Sequence, residues 1–243
     1  MRPLIAIVFL LTIGLLLAAP APVVVADSGR SAGPVIGERQ VRRVLRSGFP
    51  ALPAGWETRL VPDETMATCA DIRGEVPKEI GERIKARERA RIVYPQDGQF
   101  LGDWRRGEAI AQSGYGMRFT DTTAQRPNGG NCYACHQLSP DEVSYGTIGA
   151  SLKGFGRIHK FRPEDARIAY EKIYNSQAIV PCSMMPRFGA NGILSIEQIK
   201  DLVALLMDPE SPVNREEPAG GSASSAQPEP TQPAPLPQGK ARP

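Results

Sequence analysis

The sequence predicts a mainly α fold. Three observations carry that expectation. Several segments repeat apolar residues at helical spacing and open on a capping residue or a proline. Strand signals are weak throughout. The stretches between the helical segments are rich in glycine, as at Gly114, Gly116, Gly129 and Gly130. By composition the 243 residues divide into a leader (1–26), a partly helical extension (27–93), a principal domain (94–214) and a Pro-rich tail (215–243).

The leader has Arg2 in a small positive n-region, an almost wholly apolar run from Leu4 to Ala19, and the small residues Val24-Val25-Ala26 before Asp27. That is the form of a secretory signal peptide cleaved after Ala26. The alternative is a retained anchor. The run is short for a span of about 20 residues, and Pro20 and Pro22 interrupt it. No twin arginine is present, so a general export route is expected, with a periplasmic destination.

The tail from Arg215 to Pro243 holds seven Pro and the run Gly220-Gly221-Ser222-Ala223-Ser224-Ser225, with Leu236 its one large apolar residue. Such a segment buries too little surface to offset its ordering entropy, so disorder is expected. Without leader and tail about 190 residues remain, the size of one domain with an extension. The formal net charge of +3 becomes +2 once Arg2 is removed (3 − 1), too near neutral to imply nucleic acid or, after cleavage of the leader, membrane as a partner.

Within the extension, Arg39, Arg42, Arg43 and Arg46 read as a solvated helical face. Residues 77–92 open on Pro77, a good first helical residue. Ile80 and Ile84 lie four apart among many charges, the pattern of an exposed helix with a narrow apolar stripe. Residues 103–111 read as a short helix containing Gly107, and residues 163–178 as a second with Pro163 at its start. The last helix has the sharpest limits. Ser195 and Gln198 form a capping-box pair, Ile196, Ile199, Leu202, Val203 and Leu206 follow at helical spacing, and Asp208-Pro209 stops it.

Between the first two helices of the principal domain lies Cys132-Tyr133-Ala134-Cys135-His136. C-x-x-C-H is the attachment motif for c-type haem. The two thiols add across the porphyrin vinyl groups, and the adjacent imidazole becomes the proximal ligand of the iron. A structural zinc needs four ligands. The chain has four Cys and two His, and no second C-x-x-C. A thioredoxin-like pair would need a βαβ surround, which is not visible.

The order helix, C-x-x-C-H, loops, helix, Met loop, helix resembles class I cytochrome c, whose N- and C-terminal helices cross. Gly107 fits such a crossing, because a missing Cβ lets two backbones approach. In that class the distal ligand is a Met before Pro, downstream of the motif. Met185-Pro186 has this form, 49 positions after His136. Met185 is favoured over Met184. Met207 is expected to be packing, and Met66 and Met117 precede the motif. His159 is a rival ligand, but in the basic stretch Arg157–Lys160 an exposed side chain is expected. A thioether ligand raises the reduction potential, which suits electron transfer. In cytochromes a Gly-Pro-x-Leu segment commonly offers a carbonyl to the proximal imidazole. Here Gly149-Ala150-Ser151-Leu152 keeps the carbonyl and loses the proline.

Cys69 and Cys182 remain. In an oxidising compartment two leftover cysteines are most simply a disulfide. Buried free thiols, or one thiol paired with a partner, are the alternatives.

Residues 94–214 are similar to the SoxX family, the monohaem c-type subunit of the SoxAX sulfur-oxidation complex. The matching passages are Tyr94-Pro95-Gln96-Asp97-Gly98, Gly102-Asp103-Trp104, Gly129 to Leu138, Ser144 to Gly149, Lys172 to Asn175, Cys182 to Gly189, and Ala204 to Asn214. Ala150 and the long tail depart from the pattern. The resemblance implies one covalent haem c on Cys132 and Cys135, with His136 and Met185 as axial ligands of the iron. It implies a SoxA-type dihaem or monohaem cytochrome as partner, the carrier SoxYZ as substrate protein, and a soluble cytochrome c as electron acceptor. In that family the complex is an L-cysteine S-thiosulfotransferase, oxidatively joining thiosulfate to a SoxYZ cysteine. The SoxA haem hosts the sulfur chemistry and the SoxX haem relays electrons, so no catalytic residue is expected on this chain alone. The alternative is a free-standing periplasmic electron carrier.

Overall fold

Local sequence signals account for most of the helices, and long-range polar contacts for how they are held. The computed structural model describes residues 37–49, 52, 59–118, 120–121 and 126–216. The leader 1–26 and tail residues 217–243 lie outside the described residues. Seven α-helices and no strand occur among those described, in keeping with the mainly α expectation. None of these helices is long and apolar enough to cross a membrane.

The chain forms two units, 1–48 and 49–243. The described part of the first is a helix, α1 (Glu38–Gly48), on which Arg39, Arg42, Arg43 and Arg46 are all exposed. This is the solvated face that their spacing predicts.

The second unit begins with α2 (Glu64–Asp71), a short helix that sequence reasoning missed. Its apolar pattern is faint, and only Thr65 is buried. What starts it is Asp63, whose carboxylate accepts the Met66 N–H at 2.9 Å. The next helix, α3 (Lys78–Arg89), starts one residue after Pro77. Ile84 is 1 % exposed as the stripe predicts, but the buried line runs on to Glu88, also 1 % exposed.

Two helices cross at the centre of the unit. In α4 (Trp104–Gln112), Asp103 caps the first turn by accepting from the Arg105 and Arg106 amides. In α7 (Ile196–Met207), Ser195 and Gln198 make the reciprocal capping box that the sequence predicts. At the crossing a Cβ on Gly107 would stand 2.1 Å from the Asp201 carbonyl oxygen. Only glycine permits this approach, as expected. Asp201 then locks the contact. Its carboxylate accepts the Asp103 amide at 2.8 Å and the Arg106 guanidinium at 2.7 and 2.9 Å.

The last helix departs from the expected amphipathic pattern. Every residue from Ile199 to Met207 is buried, including Lys200 and Asp201. A charge is tolerated there only with a partner. Lys200 extends its ammonium to Asp97 at 2.9 Å, and Asp201 has Arg106. The C-terminal end of α7 is closed by a short 3₁₀ turn, Pro212–Asn214. Asn214 donates to the Leu206 and Asp208 carbonyls, and the Ser211 hydroxyl donates to the Leu205 carbonyl. These are the orphan acceptors that any helix end must satisfy.

Two further helices complete the unit. The four-residue α5 (Phe155–Ile158) follows Gly154, whose φ is +68°, and was not predicted. Asn214 accepts its Gly156 amide at 2.8 Å. Helix α6 (Pro163–Tyr174) has Pro163 at its first position, as predicted, but ends earlier than residue 178. Asn175 is extended (φ −147°), and a 3₁₀ turn, Ser176–Ala178, follows. Tyr170, fully buried, donates to the Val93 carbonyl at 2.7 Å, stacks with Tyr94 and Tyr174 and meets Phe100 edge to face.

Candidate haem-attachment site

Gly129-Gly130-Asn131 brings the C-x-x-C-H segment onto the end of α4. The Gly129, Gly130 and Asn131 amides donate to the Tyr115, Ile110 and Ser113 carbonyls at 2.9 Å each. A Cβ on Gly129 would lie 2.0 Å from the Ser113 carbonyl oxygen, so glycine is needed for the contact. Asn131 adopts a left-handed conformation (φ 48°), which Asn tolerates better than most residues. Cys132–Ala134 is then a single 3₁₀ turn, and the Cys132 carbonyl accepts from both the Cys135 and His136 amides. That turn places Cys132, Cys135 and His136 within one tight loop. Neither cysteine is in a disulfide. Burial pushes the Cys132 thiol up to about 12, so the sulfur is held neutral and in apolar surroundings.

The 146–152 loop lies on this segment. Gly146, Gly149 and Leu152 donate to the carbonyls of Tyr133, Cys135 and Gln137 at 2.8–2.9 Å. A Cβ on Gly149 would stand 2.2 Å from His136 Cε1, so this glycine leaves space for the imidazole. His136 Nδ1 is 2.6 Å from the Ala150 carbonyl oxygen. With Nδ1–H donating there, Nε2 is the nitrogen left with a lone pair for a metal. The proline expected at position 150 is dispensable for this contact because the acceptor is a backbone atom.

The candidate distal residues separate clearly. Met184 is 87 % exposed, whereas Met185 is half-buried against the core. The Ser176 hydroxyl donates to the Met185 carbonyl at 2.5 Å, and the Met185 amide donates to Ser183 Oγ at 3.2 Å. Met207 is packed in the core and Met66 is 44 % exposed on α2. His159 is occupied elsewhere. Its Nδ1 is 3.3 Å from Asp165, and its ring lies 4.3 Å from that of Phe155.

Cys69 and Cys182 are joined in a disulfide across 113 positions. It links α2 to the segment just before Met185. Cys182 itself has φ 58°, an unusual conformation for a residue other than glycine.

Around this segment is a buried polar cluster that sequence reasoning did not find. Glu88 accepts from Thr65 Oγ1, from Asn175 Nδ2 at 2.8 Å, from Arg91 at 3.0 Å and from Arg187 at 3.3 Å. Arg187 also reaches Asp63 at 2.7 Å. Burial alone would raise the Glu88 carboxyl. The Thr65 and Asn175 hydrogen bonds and the Arg187 and Arg91 charges outweigh it and hold the group below the usual glutamate range. One signal was available: Ile80, Ile84 and Glu88 lie four apart, so Glu88 continues the apolar stripe.

No family model matches the sequence. Over 129 residues, 52% of this chain, it is 44% identical to a protein of Aquifex aeolicus (strain VF5) named as an uncharacterized lipoprotein. The chain spans 60% of that relative's length.

Proposed function

We propose that this chain is the electron-transfer subunit of a periplasmic SoxAX-type complex, the L-cysteine S-thiosulfotransferase that attaches thiosulfate oxidatively to a SoxYZ cysteine. The observation that carries the haem reading is His136, with Nδ1 turned to the Ala150 carbonyl at 2.6 Å and Nε2 left for the iron. The residues present fit a covalent haem c. Two unpaired thiols and the oriented imidazole share one tight loop, and the loop over it carries glycine where a side chain would strike the ring.

Bound haem supplies one-electron transfer through its iron. Cys132 and Cys135 would hold it by thioethers, and His136 and Met185 would ligate its iron. With both residues on the iron no position would be left there for a substrate, so the centre would serve as a relay. The stretches similar to SoxX supply the pathway assignment and the partners: a SoxA-type cytochrome, SoxYZ and a soluble cytochrome c acceptor. An envelope location is supported by the leader read at 1–26 and by the relative's name, which calls that protein a lipoprotein.

The test is affinity capture of the tagged chain from thiosulfate-grown cells, with a pyridine haemochrome of the product. The expected result is one haem c per chain, absent in the Cys132→Ala/Cys135→Ala variant, and co-recovery of a second haem protein. Recovery with haem but alone would leave a free-standing carrier. Recovery without haem would overturn the cytochrome reading.

A further inference from the structure

We infer that Glu88 and Arg187 are a positioning pair that sets Met185 against the iron, an inference that rests on Met185 being the distal ligand as proposed above. Both ends of the Met185 segment are tied to one buried carboxylate. On the C-terminal side, Arg187 is two residues from Met185, and its side chain is 5 % exposed. Its Nη1 lies 3.3 Å from each Glu88 carboxylate oxygen, and its Nη2 lies 2.7 Å from Asp63. Pro186 stands between, and its fixed φ transmits the anchor to residue 185. On the N-terminal side, Asn175 donates to the Glu88 carboxylate at 2.8 Å and to the Glu88 carbonyl at 3.0 Å. Ser176 follows at once, and its hydroxyl holds the Met185 carbonyl. Cys182 adds a covalent tether to α2.

The chemistry of the pair argues for placement over stability. A buried ion pair is often no more stabilising than apolar residues of the same volume. Its hydrogen bonds are directional, however, and an apolar contact is not. Glu88 and Asp63 lie in the extension, outside the principal domain read from the sequence. The extension therefore acts as a clamp on the distal loop.

The test uses haem-loaded full-length protein. Glu88→Gln keeps the shape and removes the charge. Asp63→Asn is milder: it removes the charge that faces Arg187 and, at 3.5 Å, Arg91, and keeps a side-chain oxygen to cap α2. Asp201→Asn is a control that loosens the α4–α7 crossing without touching the clamp. Covalent haem is counted by pyridine haemochrome and folding is followed by far-ultraviolet circular dichroism. The distal bond is followed by the weak near-infrared sulfur-to-iron band and by the rate at which exogenous imidazole displaces the thioether.

Losing one charged hydrogen bond corresponds to about tenfold. Glu88→Gln is expected to keep its haem and helices, weaken the band, and exchange about tenfold faster. Asp63→Asn should exchange faster by a smaller factor, and Asp201→Asn at the wild-type rate. An unchanged rate in folded Glu88→Gln and Asp63→Asn overturns the inference, as does an equal acceleration in Asp201→Asn. If Glu88→Gln does not fold, Asp63→Asn decides: faster exchange supports the pair and an unchanged rate overturns it. Wild-type protein with haem but without the band would overturn Met185 as ligand, and the pair with it, which is a distinct result.

Discussion

The same substitution at two helical glycines should have opposite signs. Gly107 in α4 and Gly81 in α3 are both helix-interior residues, and alanine at either gains about 1 kcal/mol of helix propensity. Their surroundings differ. At Gly81 the nearest atom to a new Cβ is Pro181 Cγ at 3.4 Å, an ordinary contact. At Gly107 the Asp201 carbonyl oxygen and carbon would stand at 2.1 and 2.7 Å and Leu205 Cβ at 3.0 Å. The oxygen and carbon are backbone atoms of the facing helix and cannot rotate away. Reaching ordinary contact requires α4 and α7 to separate by roughly 1 Å, on the order of the mismatch that costs 1–3 kcal/mol in a packed core. Separation also stretches the Arg106 and Asp103 bonds to Asp201, which places Gly107→Ala at the upper end. Offsetting about 3 kcal/mol by the propensity gain leaves a loss of about 2 kcal/mol. Gly81→Ala should instead be neutral or stabilise by up to about 1 kcal/mol. Urea unfolding followed by circular dichroism reads both. With a slope of roughly 2 kcal/mol/M, Gly107→Ala should lower the midpoint by about 1 M. A Gly107→Ala protein as stable as wild type, or a Gly81→Ala protein destabilised as much, would refute the crossing geometry.

Two more predictions concern the extension. The Cys69–Cys182 bond closes a separation of 113 positions, worth about 5 kcal/mol in the chain-entropy model. The Cys69→Ser/Cys182→Ser protein should therefore unfold at much lower urea, and two titratable thiols at Cys69 and Cys182 in unreduced wild-type protein would contradict the bond. The Glu88 carboxyl is held below its usual range, so its contribution is full above the ordinary glutamate pKa of about 4.3 and is lost as pH falls through the depressed folded value. The stability gap between wild type and Glu88→Gln should be wide at neutral pH and shrink in acid, and a gap independent of pH would exclude this linkage.

Much of the fold and of the candidate site was legible from residues close together in the chain. The Ser195–Gln198 capping box, Pro163 at the start of α6 and the stop at Asp208-Pro209 each act within a few residues, so their partners are visible in sequence. The same holds for Cys132, Cys135 and His136, because the proposed covalent attachment and ligation would need them adjacent. Even Gly149-Ala150 could be assigned to the imidazole, because the accepting atom is a backbone carbonyl that any residue supplies.

Other features depend on separations that no local pattern encodes. Helix α7 reads as amphipathic yet is buried all round from Ile199 onward. Segments 103 and 98 positions away supply partners of Lys200 and Asp201. Glu88 looks like one more charge on an exposed helix until Arg187, 99 positions later, and Asn175 close over it. The physical reason is the same in both cases. A helix and its caps are set by contacts within about one turn. Whether a charge is solvated or buried depends on what tertiary packing brings against it, and here that packing ties the extension to the loop that carries Met185.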